Sequence, residues 1–181
     1  MMNGLFLLSL LFSMITQNPV SFDFGNEKAG QDWRIINDGV MGGRSQSSVD
    51  YQEDGIVFSG KISLENRGGF SSFRSPFGKY PLGYAQSVEI RYRSTGQGCY
   101  LILEDEEPFY LPHYRYFLPV TNGEWKTVTI SLESFQQYRL SDKTGKRLSS
   151  DTKDKIIRIG FIVANKKEGA FELECDYLSF Q

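Results

Sequence analysis

The chain has 181 residues, with 20 basic and 22 acidic side chains for a formal net charge of -2, and an aromatic content of 14% made up mostly of 14 Phe and 10 Tyr. That length suits one domain with a sizeable core and leaves no room for two comfortable ones. Charges of both signs are interspersed, so no basic footprint exists and nucleic acid is excluded as an expected partner.

At the N-terminus, Leu5 to Ile15 is an apolar run well short of the ~20 residues that cross a bilayer, so no transmembrane span is expected. Residues 1–19 are read as a leader and 20–181 as a single domain. The run has the length of a secretory signal, yet no Lys or Arg precedes it and no small-x-small cleavage site follows. Export to the periplasm or beyond, and a cytoplasmic chain with a buried or interfacial N-terminal helix, both stay open. The leader lacks the arginines of a mitochondrial transit peptide, and no Cys near residue 20 suggests a lipoprotein.

Past the leader, apolar and polar residues alternate with the period of half-buried strands. Candidates are Phe22 to Phe24, then Ile56, Phe58, Ile62 and Leu64 facing one way with Ser59, Lys61, Ser63 and Glu65 opposite. Phe70 to Arg74, Val88 to Arg93, Cys99 to Leu103, Tyr114 to Val120, Thr127 to Leu132 and Ile156 to Val163 follow. Last come Phe171, Leu173, Cys175 and Tyr177 against Glu172, Glu174 and Asp176. About nine short strands between Gly, Pro, Asn and Asp turns imply an all-β, antiparallel sandwich or jelly roll rather than a parallel sheet, which would need helices between its strands. Leu132 to Tyr138 is the one expected helical turn, and residues 139–155 read as a long exposed loop.

Two polar, double-glycine junctions interrupt these strands. The first runs Trp33 to Ser45 and contains Asp38-Gly39-Val40-Met41-Gly42-Gly43-Arg44-Ser45; the second is Glu65-Asn66-Arg67-Gly68-Gly69-Phe70. On a structural reading, Asp38-Gly39 closes a turn, Met41 plugs the sandwich, Gly42-Gly43 lets two strands approach, and Asn66 with Gly68-Gly69 forms the facing half of the junction. On a functional reading, Asp38, Arg44, Ser45, Asn66 and Arg67 gather at one end as a polar recognition surface.

Other residues that carry chemistry are few. His113 is the only histidine and reads as a solvated loop residue; as a general base it would need a carboxylate or nucleophile beside it. Glu104 to Glu107 reads as a solvated acidic loop, with oxygen ligation of calcium as the alternative. Phe109, Tyr110, Tyr114, Tyr116 and Phe117 are either core or a stacking platform for a sugar or a protein. Cys99 and Cys175 read as buried hydrophobes, or as a disulfide if the protein is exported. No nucleophile-elbow, Walker or dinucleotide motif occurs, so neither a cofactor, nor a metal, nor an enzymatic activity is expected. If there were one, Asp38 and Glu65 would be the acid/base pair.

The two junctions resemble the CIA30 family, the complex I intermediate-associated proteins, through Trp33, Asp38, Gly39, Val40, Met41, Gly42, Gly43 and Ser45, and through Glu65, Asn66, Gly68, Gly69 and Phe70. Tyr100, Trp125 and Phe135 to Arg139 extend the likeness over residues 22–180, with Leu140 standing where that family runs to an Arg-Gly pair. The resemblance implies a galactose-binding-like β-sandwich and a non-catalytic, chaperone-like role toward a protein complex. A protein partner is therefore expected, and a carbohydrate-binding module is the alternative.

Overall fold

The computed structural model describes residues 19–181, so the apolar run of the leader lies outside the described residues. Two antiparallel sheets face each other. One orders β3 (Gln46–Gln52), β4 (Gly55–Ile62), β13 (Gly169–Phe180), β6 (Ser87–Thr95) and β9 (Lys126–Ser131). In this sheet β1 (Ser21–Asp23) pairs with the end of β13 that β4 leaves free. The other orders β11 (Asp142–Arg147), β10 (Gln136–Arg139), β8 (His113–Leu118), β7 (Cys99–Glu104), β12 (Arg158–Val163), β5 (Ser71–Arg74) and β2 (Arg34–Asn37). Among the described residues no helix is long and apolar enough to cross a membrane.

The core is what the alternation dictates. Val88, Ile90 and Tyr92 of β6 and Leu101 and Leu103 of β7 are fully buried between the sheets. Trp33 joins them, with its ring edge-on to Phe22 at 5.1 Å and to Phe24 at 5.4 Å, and tilted against Phe73 at 5.2 Å. Burying each such side chain stabilises the fold by about 1.5–3 kcal/mol. Cys99 and Cys175 are both buried free thiols, and burial pushes both thiol pKa values up.

All nine expected strands form, and four more appear. Three of the four, β2, β3 and β11, are sheet edges, and β10 lies next to one. β11 is polar and exposed along its whole length and β3 offers only Val49 and Tyr51 to a period, as suits edges that must not associate, so neither shows the alternation of the central strands. Residues 139–155 are accordingly not a structureless loop: β10 and β11 form a hairpin turning at Leu140 (φ 54°), and Ser150–Lys153 makes one helical turn. The helical turn expected at Leu132 to Tyr138 is confined to a 3-10 turn, Leu132–Ser134.

One face assignment also changes. The pairing of β13 with β6 slips between Cys175 and Tyr177, and such a bulge flips every later side chain to the other face. Leu178 and Phe180 thus enter the core, while Tyr177 turns outward and donates from its hydroxyl to Glu89 at 2.8 Å. Outside this six-stranded sheet, Arg91 and Arg93 pair with Asp176 and Glu174 and lie 4.3 and 4.8 Å from the Trp125 ring.

Candidate functional site

The two double-glycine junctions meet around a single carboxylate. Asp38 opens a 3-10 turn, Asp38–Met41, that ends at Gly42 with φ 87°. Its side chain is 0% exposed. One oxygen accepts the Ser45 backbone N–H at 2.9 Å; the other accepts the Ser45 hydroxyl at 2.5 Å and the backbone N–H groups of Gly69 at 2.6 Å and Phe70 at 3.3 Å. Ser45 Oγ in turn accepts the Ser63 N–H, and Asn66 donates to the Gly42 carbonyl. Burial pushes the Asp38 pKa up, but the hydrogen bonds from Ser45, Gly69 and Phe70 outweigh it and leave the pKa below the usual carboxylate value.

This geometry explains the glycines differently from strand approach. A Cβ on Gly43 would sit far inside van der Waals contact with the Asp38 carboxyl carbon, and one on Gly68 would lie 2.5 Å from Asp38 Oδ2. Both positions are kept bare by the acid they enclose. Gly39, by contrast, has open space where a Cβ would go. Nor does Met41 plug the sandwich: Val40 and Met41 are 76% and 52% exposed, because the 3-10 turn carries them away from the sheets.

Met41 instead forms, with Leu64, Arg67, Gly69 and Phe70, one wall of a cavity of about 470 Å³ over the outer face of the seven-stranded sheet. Leu64, assigned to the core by alternation, lies past the end of β4 and is turned to this wall. The facing wall is Pro108, Phe109 and Leu111; Leu140, Ser141 and Lys166 close one end. The floor comes from outward positions of the central strands: Arg74 of β5, Glu104 of β7, Ile162 of β12, and His113 and Arg115 of β8.

The floor is charged and almost dry. Glu104 is held by Arg74 and, at 3.9 Å, by Arg158, with all three side chains 12% exposed or less. His113, far from being a solvated loop residue, is 8% exposed at the start of β8. Its Nε2 accepts a hydrogen bond from Arg115 Nε at 2.7 Å, which places the imidazole proton on Nδ1. Burial, and then the charges of Arg115 and Arg74, pull its pKa down to about 3. The folded chain thus refuses a proton that the unfolded chain takes up below about 6.5. Stability should fall as pH drops from about 6.5 toward 3, by up to about 1.4 kcal/mol per pH unit for one proton. Urea midpoints between pH 4 and 7 should show this slope in the native chain and a flatter one in His113→Gln, whose amide oxygen can still accept from Arg115.

The acidic run divides by the same pleat. Glu104 ends β7 on the cavity floor rather than in a solvated loop, and Asp105 has a buried oxygen without a hydrogen-bond partner among the described residues, burial raising its pKa. Among the described residues no three His, Cys, Asp or Glu side chains gather as a cation site, and Glu104 is already taken up by arginines. The aromatic cluster also splits: Tyr114 is core, Tyr116 packs on it, and Phe117, Phe109 and Tyr110 are 45%, 66% and 52% exposed.

Of the five residues read as a recognition surface, Asp38 and Ser45 are buried and bonded to each other. Arg44 makes an exposed ion pair with Glu65 at 3.2 Å. Asn66 ties down the Gly42 loop, and Arg67 alone reaches the cavity. Asp38 and Glu65 do not share a cleft as an acid/base pair would: one is sealed in, the other solvated. The sequence reading missed Arg74, Arg115 and Arg158, whose strand positions alternate with core residues and so were legible only as a wet face.

Two antiparallel sheets packed face to face, with a cavity of about 470 Å³ on the outer face of one of them, define the class of antiparallel β-sandwich proteins. Within that class, residues 22–175 match the family described as Complex I intermediate-associated protein 30 (CIA30), and the chain belongs to that family. Similar solved structures include the family 11 carbohydrate-binding module of the cellulosomal cellulase Lic26A-Cel5E of Clostridium thermocellum, at 16% identity and TM-score 0.59, covering 88% of this chain and 94% of that one. The Clostridium thermocellum family 11 module in complex with a β-1,3-1,4-mixed-linked tetrasaccharide matches at 17% identity, TM-score 0.56 and the same coverage. A part of the agarase AgWH50C matches at 10% identity and TM-score 0.54, covering 91% of this chain and 25% of that one. At these identities the likeness is one of fold.

Proposed function

We propose that this chain is a non-catalytic recognition module that holds a polypeptide partner during assembly of a protein complex, with the cavity on the seven-stranded sheet as its binding site. The observation that carries this is the cavity itself. Exposed apolar side chains, Met41, Leu64, Phe109 and Leu140, stand over a floor of locked charges, and exposed apolar groups gathered in one place mark interaction sites. The floor is built to bind rather than react: Glu104 is neutralised by two arginines, and His113 is held uncharged against Arg115. With its pKa pulled down to about 3, His113 is not poised to exchange protons near neutral pH.

Carbohydrate binding is the second reading. It is favoured by Tyr100, Phe117 and Tyr138, which cluster with ring centroids 5.1 and 6.0 Å apart beside the cavity. Yet both tryptophans lie elsewhere, Trp33 in the core and Trp125 against the six-stranded sheet. Calorimetry against a glycan panel separates the two. A protein-holding module should show no saturable heat with neutral oligosaccharides, and micromolar binding to one of them would displace the polypeptide reading.

A further inference from the structure

Arg115 is 5% exposed and lies where the main cavity adjoins a second one of about 420 Å³ bounded by Tyr100, Phe117 and Tyr138. Its Nε–H donates to His113 and one terminal nitrogen donates to the Leu140 carbonyl at 2.7 Å. Both acceptors are neutral. Among the described residues no carboxylate comes within 4.0 Å of this guanidinium, and its second terminal nitrogen has no hydrogen-bond partner. The rings of Tyr138 and Tyr100, 4.8 and 5.8 Å away, offset part of the cost of burying the charge. Burial still pulls the Arg115 pKa down to about 10.

A buried guanidinium is ordinarily paired. The nearby carboxylate that might serve, Glu104, is occupied by Arg74 and Arg158. At the rim Arg67 adds positive charge against Glu106, while Lys166 is paired with Asp142 at 3.5 Å; with Arg74 and Arg115 against Glu104 the lining is still net cationic in a chain whose formal net charge is -2. The apolar walls of Met41, Leu64, Phe109, Leu111 and Leu140 suit aliphatic and aromatic side chains more than the flat, hydroxylated face of a neutral sugar.

We infer that the cavity takes a peptide carboxylate flanked by apolar side chains, with the carboxylate on Arg115 and its neighbours against the walls. The carboxylate is either a chain terminus or an Asp or Glu side chain in an apolar segment. A planar guanidinium with free N–H groups matches a carboxylate edge to edge, and such charge-assisted bonds are about twice as strong as neutral ones. This rests on the polypeptide reading of the site.

The test titrates the full chain, followed by nitrogen-15 NMR, with N-acetyl-phenylalanyl-leucine, its carboxamide, N-acetyl-phenylalanyl-glutamyl-leucine carboxamide and a mixed-linked glucan tetrasaccharide. At least one acid should bind tenfold or more tightly than the neutral carboxamide, shift the Arg115 side-chain signal and weaken with added salt. Which of the two acids binds tells terminus from side chain. Arg115→Gln should erase the preference, and the acid-to-amide ratio in the native chain stands even if that variant folds poorly. Equal binding of acids and carboxamide overturns the carboxylate assignment and leaves the polypeptide reading standing. Binding of the tetrasaccharide with no peptide, or of none of the four, overturns both.

Discussion

Asp38→Ala should cost about 3–5 kcal/mol of folding stability, read as a lowered urea midpoint. The carboxylate accepts bonds from Ser45 N, Ser45 Oγ, Gly69 N and Phe70 N. Hydrogen bonds to a charged group contribute ~1.5–3 kcal/mol each, less when they act together, and their removal leaves buried donors unpaired. The glycines give a sharper form of the same expectation. Gly43→Ala should cost about 1–3 kcal/mol in the native chain, because its Cβ would collide with the Asp38 carboxyl group. In an Asp38→Ala background the contacts with the carboxyl atoms are gone and only the contact with the remaining Cβ at 2.8 Å is left, so the same change should cost clearly less. A double-mutant cycle should therefore show coupling of about 1 kcal/mol or more; simple additivity would mean that the glycines are there for some other reason. Since the Asp38 pKa is depressed from 3.8, its stabilisation holds at neutral pH and is lost as pH falls through the folded-state value.

The second large effect is expected at Glu104. Replacing it with Gln leaves Arg74 and Arg158, each 12% exposed, without a counter-charge, and orphaning one partner of a buried pair costs about 3–5 kcal/mol. Burial already lowers the Arg74 pKa against the opposing pull of Glu104, so removing the acid leaves only the unfavourable influence. The double change Glu104→Leu with Arg74→Met removes most of the burden and should recover stability relative to Glu104→Gln. Denaturant unfolding of both variants decides the matter. A Glu104→Gln midpoint equal to that of the native chain would show that the floor is wetter than its burial indicates.

Much of the fold was legible because its central strands are wet on one side only. Val88, Ile90 and Tyr92 announce β6 by period alone, and the same holds for β4 and, although it is an edge, for β9. Asp142–Arg147 is exposed throughout and Gln46–Gln52 turns only Ser47 and Val49 toward the protein, too few apolar residues to create a period, and a bulge beyond Cys175 cannot be seen in composition. The site was legible only at its wall. The double-glycine junctions mark one wall of the cavity, but the reason for their glycines is a buried acid brought together across 31 residues of chain with Gly69. His113 and Arg115 sit two apart in a strand whose alternate residues are tyrosines, and only the pairing of β7 with β8 and β12, and of β12 with β5, brings Glu104, Arg158 and Arg74 alongside. Leu140 shows the converse: a residue with φ 54°, where a glycine would be easier, supplies both the carbonyl that holds Arg115 and one end of the cavity.

Whether recognition takes place on the seven-stranded sheet can be measured directly by photo-cross-linking in the native host. Benzoylphenylalanine would be placed in turn at Phe109 and Phe117 beside the cavity, and at Trp125 against the opposite sheet. The expected result is a discrete cross-linked protein from the two cavity positions and none from Trp125. Cross-links arising from Trp125 alone, or equally from all three positions, would contradict it.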